Sequence, residues 1–292
     1  MAPLKDPSWI KKQHRDIAYA TLSSAQRLDL YFPNDVPPPY PLIVAIHGGG
    51  FIFGDKADDE LNAPVETVRA GYAVAAMNYR MADEALFPAA VQDVKAAIRF
   101  LRAHASEYDL DAQRIATWGN SAGAYLAVMA GVTFNTAEFD DPALGNAETS
   151  SRVQAVVDWF GPIDFLSLDD QLRASGKGKP EHGEASSPES RFVGSRLGEA
   201  DPALLRRTNP LNYLAPGLPP FLIQHGDNDD LVPVEQSFLL ADRLRAYLPP
   251  KDIRVDILQG SLHGGPAFDL PENLAKVWSF LAAALGSPQQ LD

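Results

Sequence analysis

The chain has 292 residues, 46% of them hydrophobic, no cysteine, and 25 Lys and Arg against 38 Asp and Glu, a net charge of −13. That is enough apolar material for one large core, expected as a single catalytic domain over 1–292, and the absence of cysteine excludes disulfides, thiolate nucleophiles and thiolate zinc sites. The negative balance repels nucleic-acid phosphates and anionic headgroups, so the expected partner is a small molecule rather than nucleic acid or membrane, with homo-oligomerisation left open.

The first residues carry no apolar h-region and no run approaches the ~18 apolar residues of a membrane span, which gives a cytoplasmic expectation, a removed leader being left open. Short runs rich in Val, Ile and Leu alternate with helix-length amphipathic stretches, the pattern of a mostly parallel sheet flanked by crossover helices. In chain order the expected strands are 16–19, 28–32, 42–47, 72–79, 114–119, 153–161, Phe221–Gly226 and Ile253–Leu258, eight in all. The first two read as antiparallel because only a short turn separates them. Helices are expected at Ala89–Ala103, where Val91, Val94, Ile98 and Leu101 recur at helical spacing, and at 121–130, 234–248 and Pro271–Leu285. The stretch 165–212 breaks this rhythm with a polar run at 174–190 and reads as a cap or lid inserted after the sixth strand.

Chemistry concentrates at the strand ends. Gly119-Asn120-Ser121-Ala122-Gly123 is a G-x-S-x-G placed between an expected strand and helix. A nucleophilic serine needs such a sharp turn to expose its hydroxyl, and glycines two residues either side remove side chains that would clash there. His47-Gly48-Gly49-Gly50-Phe51 ends the third strand. Its glycines bring backbone N–H groups close to a ligand, so Gly49 and Gly50, with Ala122 after the nucleophile, are the expected oxyanion donors. His47 reads as a brace for that loop. After the seventh strand stands His225-Gly226-Asp227-Asn228-Asp229-Asp230-Leu231-Val232-Pro233, where the acid of a Ser, Asp, His order belongs. Asp229 is the expected acid, with Asp227 and Asp230 as turn or capping groups. His263 follows the eighth strand and is the one histidine after Asp229. His14, His104 and His182 read as surface residues and His225 as structural.

On these motifs, together with the stretch from His47 to Lys56, Tyr79-Arg80, and Phe87-Pro88-Ala89 ahead of Asp93-Val94-Lys95, the chain resembles serine esterases of the α/β-hydrolase superfamily. The similar branch is the feruloyl-esterase-like and carbohydrate-esterase-like group near the hormone-sensitive lipase family. The chain departs from hormone-sensitive-lipase relatives at Asn120 and Ala124 and in Tyr79-Arg80-Met81-Ala82-Asp83-Glu84. The resemblance implies the α/β-hydrolase fold with nucleophile, acid, base and oxyanion donors at the positions already reached, acting on ester substrates.

Ser121, Asp229 and His263 are thus expected to hydrolyse short-chain acyl esters through an acyl-enzyme, without metal or cofactor. Phe51, Phe160 and Phe165 are the expected substrate walls, with Phe53, Phe192 and Tyr213 as further candidates. A serine peptidase or amidase, and a non-catalytic ligand-binding protein on the same fold, are the alternatives. The insertion lacks the long apolar helix of an interfacial lid, which favours small, water-soluble esters.

Overall fold

A computed structural model describes residues 2–287. Eight strands form one sheet: β1 (Gln13–Ala18), β2 (Arg27–Tyr31), β3 (Tyr40–Ile46), β4 (Ala73–Met77), β5 (Leu110–Asn120), β6 (Ala155–Trp159), β7 (Phe221–Gly226) and β8 (Ile253–Leu258), in the order β1-β2-β4-β3-β5-β6-β7-β8. β2 runs antiparallel to both its neighbours and the remaining pairs are parallel. This is the expected α/β-hydrolase architecture.

β3, β4, β6 and β7 are buried along their whole length, because helices cover both faces of the sheet. Alternate residues feed two cores: Leu42, Val44 and Ile46 of β3 point to one, Ile43 and Ala45 to the other. The first core is closed by α2 (Ala89–Ala103), α3 (Ala122–Val132) and α7 (Glu235–Leu244), through Val91, Val94, Leu126 and Leu240. The second is closed by α1 (Asn62–Glu66) and α9 (Pro271–Leu285), with α8 (Pro266–Asp269) beside them, through Val65, Phe268, Val277 and Leu281. No helix among the described residues is long and apolar enough to cross a membrane.

The chain between β6 and β7 is more ordered than its composition suggests. It carries three short helices, α4 (Leu168–Ser175), α5 (Pro188–Val193) and α6 (Pro202–Thr208). Proline at the first turn and a capping side chain start α5 and α6: Ser187 accepts the Ser190 N–H and Asp201 that of Ala203. Phe165, Leu168, Phe192, Val193 and Leu197 anchor this segment in the first core.

Candidate active site

The sheet brings the carboxyl ends of β3, β5, β7 and β8 to one edge, where open α/β sheets bind ligands. Ser121 occupies the turn from β5 into α3 at φ 54° and ψ −121°, a sparsely populated conformation for a residue with a side chain. Its N–H donates to Trp159 O at 2.8 Å, tying the turn to β6. The flanking glycines are required by space: a Cβ on Gly119 would lie 2.0 Å from Gly123 O, and one on Gly123 would lie 2.2 Å from Ile46 O.

His263 sits on the loop after β8 with Nε2 2.8 Å from Ser121 Oγ and Nδ1 2.7 Å from Asp229 Oδ2. A carboxylate facing Nδ1 fixes the proton there and leaves the Nε2 lone pair for the serine hydroxyl. Phe160 packs edge-on against the imidazole, ring centroids 4.8 Å apart.

Asp229 is buried and collects four N–H donors. Oδ1 accepts from Leu231 at 2.9 Å and Val232 at 2.8 Å, and Oδ2 accepts from His263 and, at 3.1 Å, from His225 Nε2. Burial works against its charge, but the bonds from His225 and His263 outweigh it and hold the carboxyl well below the usual carboxylate range. His225 Nε2 also faces Val232 O at 2.9 Å, so this nitrogen carries the proton, and Nδ1 accepts from Ser237 Oγ at 2.7 Å. His225 is therefore a second imidazole on the acid, a role its place at the end of β7 did not disclose. Asp227 Oδ1 accepts the Gly260 N–H at 2.6 Å, and Asp230 is exposed.

The glycine loop after β3 is held from below. His47 is buried and stacks on Tyr79, whose hydroxyl donates to His47 O at 3.1 Å. The Gly48 N–H donates to Glu60 Oε2 at 2.8 Å, and Asn120 Nδ2 donates to Glu60 O at 2.6 Å. Burial raises the Glu60 carboxyl, against the bond from Gly48 and the nearby His263. Glu60 carries no local motif, and its position became visible only in three dimensions. Gly49 turns at φ 96°, a conformation that favours glycine. The N–H groups of Gly49, Gly50 and Ala122 have no hydrogen-bond partner among the described residues, and all three residues line one cavity of about 190 Å³ with Ser121 and His263.

Phe51 and Phe53 also line this cavity. Phe160 instead lines a smaller depression that shares Glu60 and His263 with the cavity. Phe165 is packed in an aromatic cluster with Phe51, Tyr125 and Phe192, and is not among the lining residues. His182 corrects the surface reading: it is buried, lines the cavity, and points Nε2 at Leu231 O, 2.8 Å away. His104 is half-buried against Phe100, whereas His14 is exposed. A groove of about 590 Å³, lined by Lys179, Glu181, Ser186 and Asp230, shares His182, Pro188, Leu231 and His263 with the cavity.

The probable carboxylic ester hydrolase LipM of Mycobacterium tuberculosis is 30% identical over 275 residues, 90% of this chain and 61% of the relative. Isoprenylcysteine alpha-carbonyl methylesterase ICME of Arabidopsis thaliana is 27% identical, covering 81% of this chain and 53% of its own length. The chain thus spans about half to three-fifths of these curated relatives. Among solved structures, a truncated carbohydrate esterase from gut microbiota superposes with a TM-score of 0.83 at 28% identity, covering 97% of this chain and 99% of that one. Esterase 2 of Thermogutta terrifontis, at 23% identity and a TM-score of 0.73 over 98% and 100% of the two chains, shares the fold. Residues 28–244 match the BD-FAE family, a feruloyl-esterase-like branch of the α/β-hydrolases, and the chain belongs to that family.

Proposed function

We propose that the chain is a serine carboxylesterase acting on short-chain acyl esters of small, water-soluble alcohols. The observation that carries this reading is the unbroken chain from Ser121 Oγ through His263 to Asp229, with both links at 2.8 Å or less, beside three unpartnered amides. Ser121 Oγ attacks the ester carbonyl carbon while His263 Nε2 takes its proton. The carbonyl oxygen gains charge and accepts from the Gly49, Gly50 and Ala122 amides, of which Ala122 also stands at the positive end of α3. On collapse the ester C–O bond breaks and His263 protonates the departing alcohol. Water then gives its proton to His263, attacks the acyl group on Ser121, and releases the carboxylic acid.

The names of the relatives, all esterases, support ester hydrolysis over amide hydrolysis. A cavity of about 190 Å³ is smaller than the ~300–1,000 Å³ of sites for drug-sized ligands, which supports a short acyl group. The segment 165–212 acts as the cap: its Pro188 lies over Gly50 and its His182 over Leu231. The test is hydrolysis of p-nitrophenyl acetate with fluorophosphonate labelling, in the wild type and in Ser121→Ala. Loss of both turnover, by about a million-fold, and labelling is expected. A Ser121→Ala protein that keeps a tenth of its activity overturns the proposal.

A further inference from the structure

We propose that residues 2–5 are a positioning element of the catalytic centre: this N-terminal arm holds the turn Asp59–Leu61, and through Glu60 of that turn it sets the place of the glycine loop that carries the oxyanion amides. The inference rests on the esterase reading and deepens it. No residue of the arm lines the cavity that contains Ser121, so its effect passes through Glu60.

The turn does not hold its own start. The first N–H groups of a helical turn lack partners within it, and a capping side chain usually accepts one of them. Asp58 stands at the capping position, but its Oδ2 accepts the Asp55 N–H at 2.6 Å and its side chain takes no N–H of the turn. The arm fills that gap. Ala2 O accepts the Asp59 N–H at 2.8 Å, Pro3 bridges antiparallel to Asp58, and the Leu4 N–H donates to Ala57 O at 2.6 Å. The Lys5 N–H donates to Asn62 Oδ1 at 2.8 Å, on the first residue of α1. Three hydrogen bonds from the arm's main chain thus bracket residues 57–62, with the Leu4 side chain packed on the second core. Leu61, fully buried in that core, fixes the far end of the turn.

Glu60 lies between these two anchors. Its Oε2 accepts the Gly48 N–H and its carbonyl accepts Asn120 Nδ2, so one residue seats the glycine loop and the residue before Ser121 together. A Cβ built on Gly48 would lie 2.8 Å from Glu60 Oε2 and 3.2 Å from Ser121 Cβ, which shows how closely Gly48 is packed between them. A small displacement of the turn is therefore passed on to Gly49 and Gly50. Amides that meet a developing oxyanion work only at hydrogen-bond distance from it, so misplacing them is felt in rate rather than in substrate affinity.

The experiment removes the arm's donors and leaves the centre untouched. Lys5→Pro deletes one N–H, and Leu4→Pro with Lys5→Pro deletes two. Leu4→Ala with Lys5→Ala trims the same side chains and keeps both donors. On p-nitrophenyl acetate, kcat should fall about threefold in the single and about tenfold in the double proline variant, the worth of one and two hydrogen bonds, with KM within about twofold of wild type and cooperative melting retained. The alanine pair should stay within about twofold of wild type. Both proline changes are then made in Glu60→Ala, where the arm has nothing left to position, and they should cost less than about twofold further. The same fold loss in both backgrounds would show that the arm only stabilises the fold, and the proposal is wrong. A double proline variant with unchanged kcat, or an alanine pair as impaired as the proline pair, overturns it equally. A wild type that does not turn over p-nitrophenyl acetate would instead sink the esterase reading, and the arm would then be judged by the rate of fluorophosphonate labelling, expected to fall in the same ratios.

Discussion

Asp229→Asn isolates what the carboxylate contributes, because shape is kept while charge and one acceptor are exchanged for donors. The main-chain amides of Leu231 and Val232 are fixed by the turn, so the Asn carbonyl oxygen should stay with them. The new NH₂ then faces His263 Nδ1 and His225 Nε2, both of which donate in the wild type. His263 can accommodate that NH₂ only by moving its proton to Nε2, and this removes the lone pair that faces Ser121 Oγ, 2.8 Å away. Comparable tautomer inversions in serine hydrolases reduce kcat about 10⁴-fold, which is about 5 kcal/mol of transition-state stabilisation. The assay is kcat on p-nitrophenyl acetate at pH 7, with thermal melting to show the variant is folded. Asp227→Asn and Asp230→Asn should stay within about threefold of wild type, since one only holds the Gly260 amide and the other is exposed. Stability gives a second readout. A depressed folded pKa means that the carboxyl stabilises the fold above its unfolded value near ~4 and loses that contribution as pH falls further. Wild type should therefore lose stability between about pH 4 and pH 2 more steeply than Asp229→Asn. An Asp229→Asn enzyme retaining a tenth of its kcat, or an Asp227→Asn enzyme as impaired, would refute the reasoning.

Glu60→Ala should lower kcat about tenfold or more with little change in KM, by freeing the Gly48 amide that seats the glycine loop, and Glu60→Gln should restore most of it; equal loss in both variants would point to the charge instead. Asp158, fully buried with Oδ2 unpartnered, has its carboxyl pushed up to about 7 by burial, against the Gly161 N–H and His225. Such a raised value means a penalty that grows from the unfolded pKa near ~4 up to about 7, so Asp158→Asn should gain stability relative to wild type by a few kcal/mol more at pH 8 than at pH 4. A pH-independent difference in denaturant midpoints would contradict this. Catalytic efficiency along a series of acyl esters should peak at two to about six carbons and fall steeply by palmitate, because each methylene gains only ~0.8 kcal/mol where space exists and overfilling costs ~1–3 kcal/mol. Efficient hydrolysis of long-chain triglyceride emulsions would overturn that size limit.

How much of this could be read from the chain depends on whether the signal is local. β7, β8, α2 and α9 have the expected ends, because Gly226, Pro271 and Gly286 punctuate runs of clear period. β5 starts four residues before its expected first residue: Asp111, Ala112 and Gln113 look like a loop, yet they extend the strand where Leu110 pairs with Tyr40. The residues Ser121, Asp229 and His263 stood out because strand ends and chain order mark them. Their supports did not. Glu60 reaches Gly48 from 12 residues away, and His225 meets Asp229 through the curl of the β7 loop. His182 lies in a polar run that any local scale exposes, and it is buried because the segment 165–212 folds it onto Leu231 with Glu189 beside its other ring nitrogen. Burial of a charged pair is a tertiary decision, and composition carries no trace of it.

Leu231 ties the loop of Asp229 to the segment 165–212. Its N–H donates to Asp229 Oδ1, while its carbonyl faces His182 of that segment. Close to the acid, the main chain is therefore held on one side by the group that orients His263 and on the other by the group paired with Glu189. The second contact is at Gly50, where a built Cβ would lie 2.9 Å from Pro188, one residue before Glu189. The segment thus rests on the loop of Asp229 and on the glycine loop at once. Displacing that segment would therefore shift the Asp229 loop and the Gly49 and Gly50 amides together, although neither contact touches Ser121. His182→Ala should then lower kcat on p-nitrophenyl acetate in a protein that still melts cooperatively, and an unchanged kcat would refute the coupling.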